Sequence, residues 1–292
     1  MVHKKDIYVN FFNFICSKIA YTPPPFVTAT LKRVAFSFVK NIEMKYNGRM
    51  KKIHLMVLCV LCGCQGVVVP EVFTYREIQT NTYRLASWQK ITDTTKPVRI
   101  YIEGDGHAFN HWGYPTANPT PQSVFLRKIA FNDPNANVVY LARPCQYVDD
   151  QRCTVKDWTT GRFSQEIVDS TALAIKEVAS ARPVVLVGYS GGALLSGLII
   201  KQNSTLHVTK WITVAGVLNH KKWTEDLNLP PLKDSIDLDK LPTIPQLHLV
   251  GDKDKVVSYK LTKSLANKKD VIVVPKATHD CGYEEYYSII YE

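Results

Sequence analysis

A serine stands in the run Gly188-Tyr189-Ser190-Gly191-Gly192, directly after the apolar stretch Val184–Val187 and before a small, apolar, helix-compatible segment, Gly191 to Gln202. The pattern Gly-x-Ser-x-Gly between strand and helix puts the serine on a strained turn, where a side chain at either flank would collide as the two elements close on each other. Serine at its free pKa is a weak nucleophile, so this turn implies a base, and a carboxylate to hold the base. Both follow downstream. Leu247–Val250 runs into Gly251-Asp252-Lys253-Asp254, and Val271–Val274 runs into Pro275-Lys276-Ala277-Thr278-His279-Asp280. His279 is the expected base, taking the proton of Ser190 and returning it to a leaving group, with Asp254 fixing its tautomer. Asp252 is the rival carboxylate, suited instead to accepting backbone hydrogen bonds within its turn. His248 inside a strand and His220 are weaker base candidates, and Asp280 reads as a solvated loop charge.

Attack on a carbonyl also needs N–H donors where negative charge develops. Gly191, the residue after the nucleophile, supplies one. The second is expected from the loop after an earlier strand, Tyr101-Ile102-Glu103-Gly104-Asp105-Gly106-His107, with Asp105 N–H first and Gly106 next. Glycines there allow close approach of the backbone. The same loop is not a dinucleotide fingerprint, because the full G-x-G-x-x-G is absent. No metal is expected: the one C-x-x-C pair, Cys59 and Cys62, lies inside an apolar run.

These residues need a scaffold that presents loops at strand ends. Short β-branched runs recur at 98–102, 138–141, 184–187, 211–214, 247–250 and 271–274. Between them, residues 164–180 carry Ile167, Thr171, Ile175 and Val178 at helical spacing, with Ser164 as N-cap and Glu166 in the first turn. Strands alternating with helices predict an α/β fold: a mostly parallel central sheet with helices on both faces. Residues 66–95 are expected to add antiparallel edge strands. Residues 217–245, rich in Pro, Leu and charge, lack a period and read as a small lid-like insertion near the site. Aromatics in the flanking loops (Phe109, Trp112, Tyr114, Trp223) serve equally well to bind an apolar substrate or to pack that insertion.

The chain has 292 residues and a formal net charge of +10. Residues 1–63 hold ten basic and two acidic side chains, leaving the rest almost balanced at +2. No nucleic-acid partner is therefore expected of the body, whose composition is that of an ordinary globular protein. Met50-Lys51-Lys52, the apolar run 53–61 and the small residues after it have the layout of a secretory signal peptide, too short to span a bilayer. Leu61-Cys62-Gly63-Cys64 resembles a bacterial lipobox, making Cys64 the expected lipidation site. The alternative reading of 53–61, a buried hydrophobic segment of the domain, is disfavoured because Lys-Lys directly before an apolar run is a poor core pattern. Residues 1–49 are read as a mis-assigned start or a disordered extension, with an organelle presequence as competitor; 50–63 as the signal; and 64–292 as one catalytic domain. Export to the cell envelope, on a periplasm-facing lipid anchor, would let Cys145 and Cys153 pair, leaving Cys281 as the odd thiol.

Gly188–Gly192, the Gly251-x-x-Asp254-x-x-Val257 stretch and His279 together resemble the α/β-hydrolase superfamily. Glu103-Gly104-Asp105-Gly106, Ala142-Arg143-Pro144-Cys145-Gln146-Tyr147, Arg162-Phe163-Ser164 and Val214-Ala215-Gly216 resemble, more closely, poorly characterised envelope α/β-hydrolases of bacteria. The resemblance spans about residues 66–292. It implies an α/β-hydrolase fold, serine hydrolase chemistry without a cofactor and a Cys145–Cys153 disulfide, but no particular substrate. The expected activity is cleavage of a small carboxylic ester by a monomeric enzyme through an acyl-enzyme. A peptidase or amidase on the same residues, or a catalytically idle hydrolase fold that binds in the envelope, are the alternatives.

Overall fold

A computed structural model describes residues 43–46, 49–52 and 68–292. The chain divides into two compact units, Met1–Gly66 and Val67–Glu292. In the first, β1 (Glu43–Tyr46) pairs antiparallel with β2 (Arg49–Lys52). The apolar run 53–61 and Cys64, with the export and lipidation expected of them, lie outside the described residues. Among the described residues no helix is long and apolar enough to cross a membrane.

The second unit is built on an eight-stranded sheet. Its strands are β3 (Thr74–Gln79), β4 (Arg84–Ile91), β5 (Val98–Ile102), β6 (Asn137–Leu141), β7 (Val184–Tyr189), β8 (Val208–Val214), β9 (Gln246–Gly251) and β10 (Val271–Val274). The spatial order is β10-β9-β8-β7-β5-β6-β4-β3. Strands β5 to β10 are mutually parallel; β4 joins β6 antiparallel and β3 follows it, forming the expected antiparallel edge. Parallel strands buried on both faces read as continuous apolar runs, which is why six of them stood out in the sequence.

Successive residues of each strand feed opposite layers. On one face Val98, Ile100, Val139, Leu141, Val184, Leu186 and Trp211 pack under α2 (Gln165–Ala179) and α3 (Gly191–Gln202). On the other, Tyr101, Val138, Tyr140, Val187, Ile212 and Val214 pack under α1 (Phe125–Phe131) and α6 (Tyr287–Tyr291). Helix α2 begins where expected, Ser164 Oγ accepting the Ile167 N–H. Helix α3 is apolar nearly all round and sinks Ala193, Leu194, Leu195, Leu198 and Ile199 into the core, each large side chain contributing about 1.5–3 kcal/mol.

Residues 217–245 contain α4 (His220–Asp226) and anchor Trp223, Leu232 and Leu238 in the core. After β9 comes α5 (Tyr259–Leu265). A disulfide joins Cys145 to Cys153, and Cys281 is free and exposed.

Candidate active site

Ser190 sits between β7 and α3 with φ 50° and ψ −121°, a conformation that L side chains rarely adopt. Its surroundings enforce it. The Ser190 N–H donates to Val214 O at 3.1 Å, and the Ser190 carbonyl accepts from Ala193 at 3.1 Å and Val217 at 3.0 Å. A Cβ on Gly188 would come 2.5 Å from the Ala193 backbone, and one on Gly192 would collide with the backbone of Ile102 and Glu103. The glycines are thus fixed by closure of helix on strand.

His279 reaches this turn from the loop after β10. Its Nε2 lies 3.0 Å from Ser190 Oγ and its Nδ1 lies 2.9 Å from Asp254 Oδ2. Asp254, from the loop after β9, has no solvent-exposed side-chain surface, whereas His279 is 19% exposed. Asp254 Oδ1 accepts the N–H groups of Val256 and Val257, each at 2.8 Å. Tyr189 packs on the His279 ring with centroids 5.3 Å apart.

The rival residues have other occupations. Asp252 Oδ1 accepts the Lys276 N–H at 2.6 Å, linking the β9 and β10 loops. His248 is wholly buried in β9 between Thr213 and Gln246, and desolvation pushes its pKa down to about 4. His220 stacks on Phe163, also buried, and burial lowers its pKa against the pull of Asp237, 3.9 Å away. Among the described residues Asp280 has one side-chain hydrogen bond, accepted from Ser123 Oγ at 3.5 Å in an exposed contact.

The loop after β5 lies against the elbow: a Cβ on Gly104 would be 3.1 Å from Ser190 Cβ. Gly104 N–H is already used, donating to Glu103 Oε1 at 2.8 Å, and its carbonyl accepts from Gln146 Nε2 at 2.9 Å. Among the described residues neither Asp105 N–H nor Gly106 N–H has an acceptor. Gly191, at the first position of α3, likewise lacks an intrahelical acceptor. Gly106 has φ 65°, and a Cβ there would collide with Pro119 O. Glu103 is buried, and that desolvation raises its pKa although Tyr140 OH donates to it at 2.5 Å.

The side chain of Asp105 is engaged in a way that sequence reasoning missed. Arg143 and Arg162 both donate to its carboxylate. Burial alone would raise the Asp105 pKa, but the two guanidinium groups outweigh it and hold it below the carboxylate range. The only signal in the sequence was that Asp105, Arg143 and Arg162 each sit in a segment shared with the resembling hydrolases. Of the flanking aromatics, Trp223 is packed and donates its indole N–H to Val256 O, Phe109 lies under the Arg162 guanidinium, and Trp112 and Tyr114 are exposed. Among the described residues no cluster of His, Cys, Asp or Glu is arranged to hold a metal ion.

A nucleophile-type elbow at the end of a central parallel strand, with helices on both faces of the sheet, defines a serine hydrolase of the α/β-hydrolase fold. A family model described as Serine hydrolase (FSH1) matches residues 133–279, half of the chain, and the protein belongs to that family. No curated protein matches it. Among solved structures it is similar to a proline iminopeptidase-related protein of Thermus thermophilus (TM-score 0.53, 14% identity, 75% of this chain and 96% of that one). It is also similar to an esterase of Pyrococcus furiosus (TM-score 0.50, 13% identity, 75% and 89%). An α/β fold family hydrolase of Bacillus anthracis gives TM-score 0.50 at 12% identity over 74% and 96%. At these identities the likeness establishes the fold.

Proposed function

We propose that the enzyme hydrolyses small carboxylic esters through an acyl-enzyme on Ser190. The observation that carries this reading is the continuous hydrogen-bonded chain from Ser190 Oγ through His279 to a buried, doubly anchored Asp254. His279 Nε2 accepts the serine proton as Oγ attacks the carbonyl, and Asp254 stabilises the imidazolium that forms. The N–H groups of Gly191 and Asp105, with Gly106 next in line, meet the oxygen that becomes negative. Collapse expels the alkoxide, which takes the proton from His279. Water then attacks the acyl-enzyme by the same route in reverse roles, releasing the acid.

An ester is favoured over an amide because its leaving group is expelled with less help, so the site needs no further acid than His279. Amide cleavage uses the same steps and is an outcome of the test rather than a separate reading. Export through residues 50–63, lipidation at Cys64 and action in the envelope belong to this proposal and are supported by the sequence pattern alone.

The test is a panel of p-nitrophenyl acyl esters and aminoacyl p-nitroanilides assayed with the wild type and Ser190→Ala. Ester turnover that vanishes in the variant supports the reading. Turnover confined to anilides makes the enzyme an amidase, and absence of both places it among idle hydrolase folds.

A further inference from the structure

The steps above leave unused a charge cluster that touches the elbow, its two arginines buried and Asp105 partly so. Arg143 Nη1 donates to Asp105 Oδ1, and Arg162 Nη1 donates to Oδ2 at 2.5 Å. Each arginine is also held by backbone: Arg143 Nη2 by the Arg162 carbonyl, Arg162 Nε by the Thr159 carbonyl at 2.7 Å. Arg143 and Arg162 are 4% and 5% exposed. Around Gly191 the fit is tight. A Cβ there would run into Asp105 Oδ1 and stand 3.0 Å from Arg143 Nη1.

A lone carboxylate in that position would oppose the negative charge that grows on the substrate oxygen. One arginine would cancel it. Two leave this trio net positive, with the buried Glu103 carboxyl also acting on Arg143, and a surplus buried cation is costly to the fold. The cluster touches both proposed donor residues, since Asp105 carries one N–H itself and its carboxylate abuts the residue that carries the other. Fields of preorganised groups in a partly dry site act strongly on developing charge.

We propose that Arg143 and Arg162 are positioning residues for ester hydrolysis: they lock the Asp105 carboxylate against Gly191, hold the two N–H donors in place, and turn the local charge from negative to positive where the oxyanion forms. This rests on the reading of Ser190 as nucleophile. A purely structural clasp would stabilise the fold without favouring the transition state over the bound ester.

The experiment compares full-length wild type with Arg143→Gln, Arg162→Gln, Arg143→Lys, Asp105→Asn and Ser190→Ala on p-nitrophenyl butyrate. Competent sites are counted by titration with a fluorophosphonate, so misfolded molecules do not enter kcat. Phenylboronic acid is measured in parallel; Ser190 Oγ adds to boron, its proton passes to His279, and the resulting tetrahedral anion mimics the oxyanion intermediate. Arg143→Gln and Arg162→Gln lower kcat by about tenfold or more while KM stays within about twofold, and they weaken the boronate by a similar factor. Arg143→Lys recovers part of the loss. Asp105→Asn, which removes the opposing charge along with the lock, loses less than Arg143→Gln. Should the glutamine variants yield no titratable sites, Arg143→Lys carries the test: a partial loss of kcat and of boronate affinity per competent site, with KM within about twofold, is expected, and wild-type affinity in the sites that do fold overturns the proposal. Wild-type kcat per competent site in the arginine variants, or lowered kcat with unchanged boronate affinity, also overturns it. If Ser190→Ala keeps its activity, the reading of the site itself falls; if Ser190→Ala is dead and the arginine variants are unimpaired, only the present proposal does.

Discussion

Asp254 divides its carboxylate between the backbone and His279. One oxygen accepts the N–H groups of Val256 and Val257, and the other faces His279 Nδ1 at 2.9 Å. The two amides leave the side chain a single orientation, so the imidazole is aimed by main-chain geometry at the end of β9. This separates the two neighbouring acids of that loop by what each oxygen touches.

Asp254→Asn keeps the shape but presents the imidazole with the wrong hydrogen-bonding partner, and kcat for an activated acyl ester is expected to fall by about 10³–10⁴-fold. Asp252→Asn leaves His279 untouched and is expected to keep kcat within a few fold, at a stability cost of about 1 kcal/mol from the weakened bond to Lys276 N–H. Steady-state kinetics on both variants decide between them; full activity in Asp254→Asn would remove that residue from the mechanism.

Gly191→Ala introduces a methyl group where Asp105 Oδ1 now lies. The loop after β5 must retreat, and with it the Asp105 N–H. A kcat loss of about 10²-fold is expected from displacing one oxyanion donor, with a further stability cost of about 1–3 kcal/mol from overpacking. Kinetics alongside urea unfolding separate the two effects.

His248 makes stability depend on pH. Buried in β9, it is held neutral with a pKa of about 4, below the ordinary histidine value, chiefly by desolvation. The unfolded chain therefore binds a proton that the folded one refuses as pH drops from about 6.5 toward 4, and stability falls over that window. The contribution is roughly 2–3 kcal/mol by pH 4.5. Urea unfolding of wild type and His248→Gln at pH 7 and 4.5 should show a shallower loss in the variant; parallel losses would rule the residue out as the cause.

Much of this was legible beforehand, for identifiable reasons. Parallel strands are apolar on both faces, so Val98–Ile102 and Val271–Val274 announce themselves, and the glycines beside Ser190 are demanded by the crossing of β7 and α3. Helices α1, α4 and α5 did not show, because each has seven residues, about two turns, too short to display a period. Residues 217–245 looked aperiodic because Trp223, Leu232 and Leu238 reach the core at irregular intervals. The Asp105 cluster was hidden because its partners stand 38 and 57 residues away, and charged side chains at such distances look like surface.

The Cys145–Cys153 bond closes a short loop just after Arg143. Replacing both cysteines by serine is expected to cost about 2.5 kcal/mol through the unfolded chain's regained freedom. Urea unfolding of the variant, and of wild type under reductant, should show matching losses, whereas unchanged midpoints would mean the bond constrains little.

Whether Ser190 is the nucleophile and His279 its base is decided by intact mass and peptide mapping after reaction of the folded protein with a fluorophosphonate. One adduct per chain on the peptide containing Ser190 is expected, absent in Ser190→Ala and formed far more slowly in His279→Ala. An unlabelled folded protein, or an adduct that persists unchanged in Ser190→Ala, would mean that Ser190 is not the nucleophile.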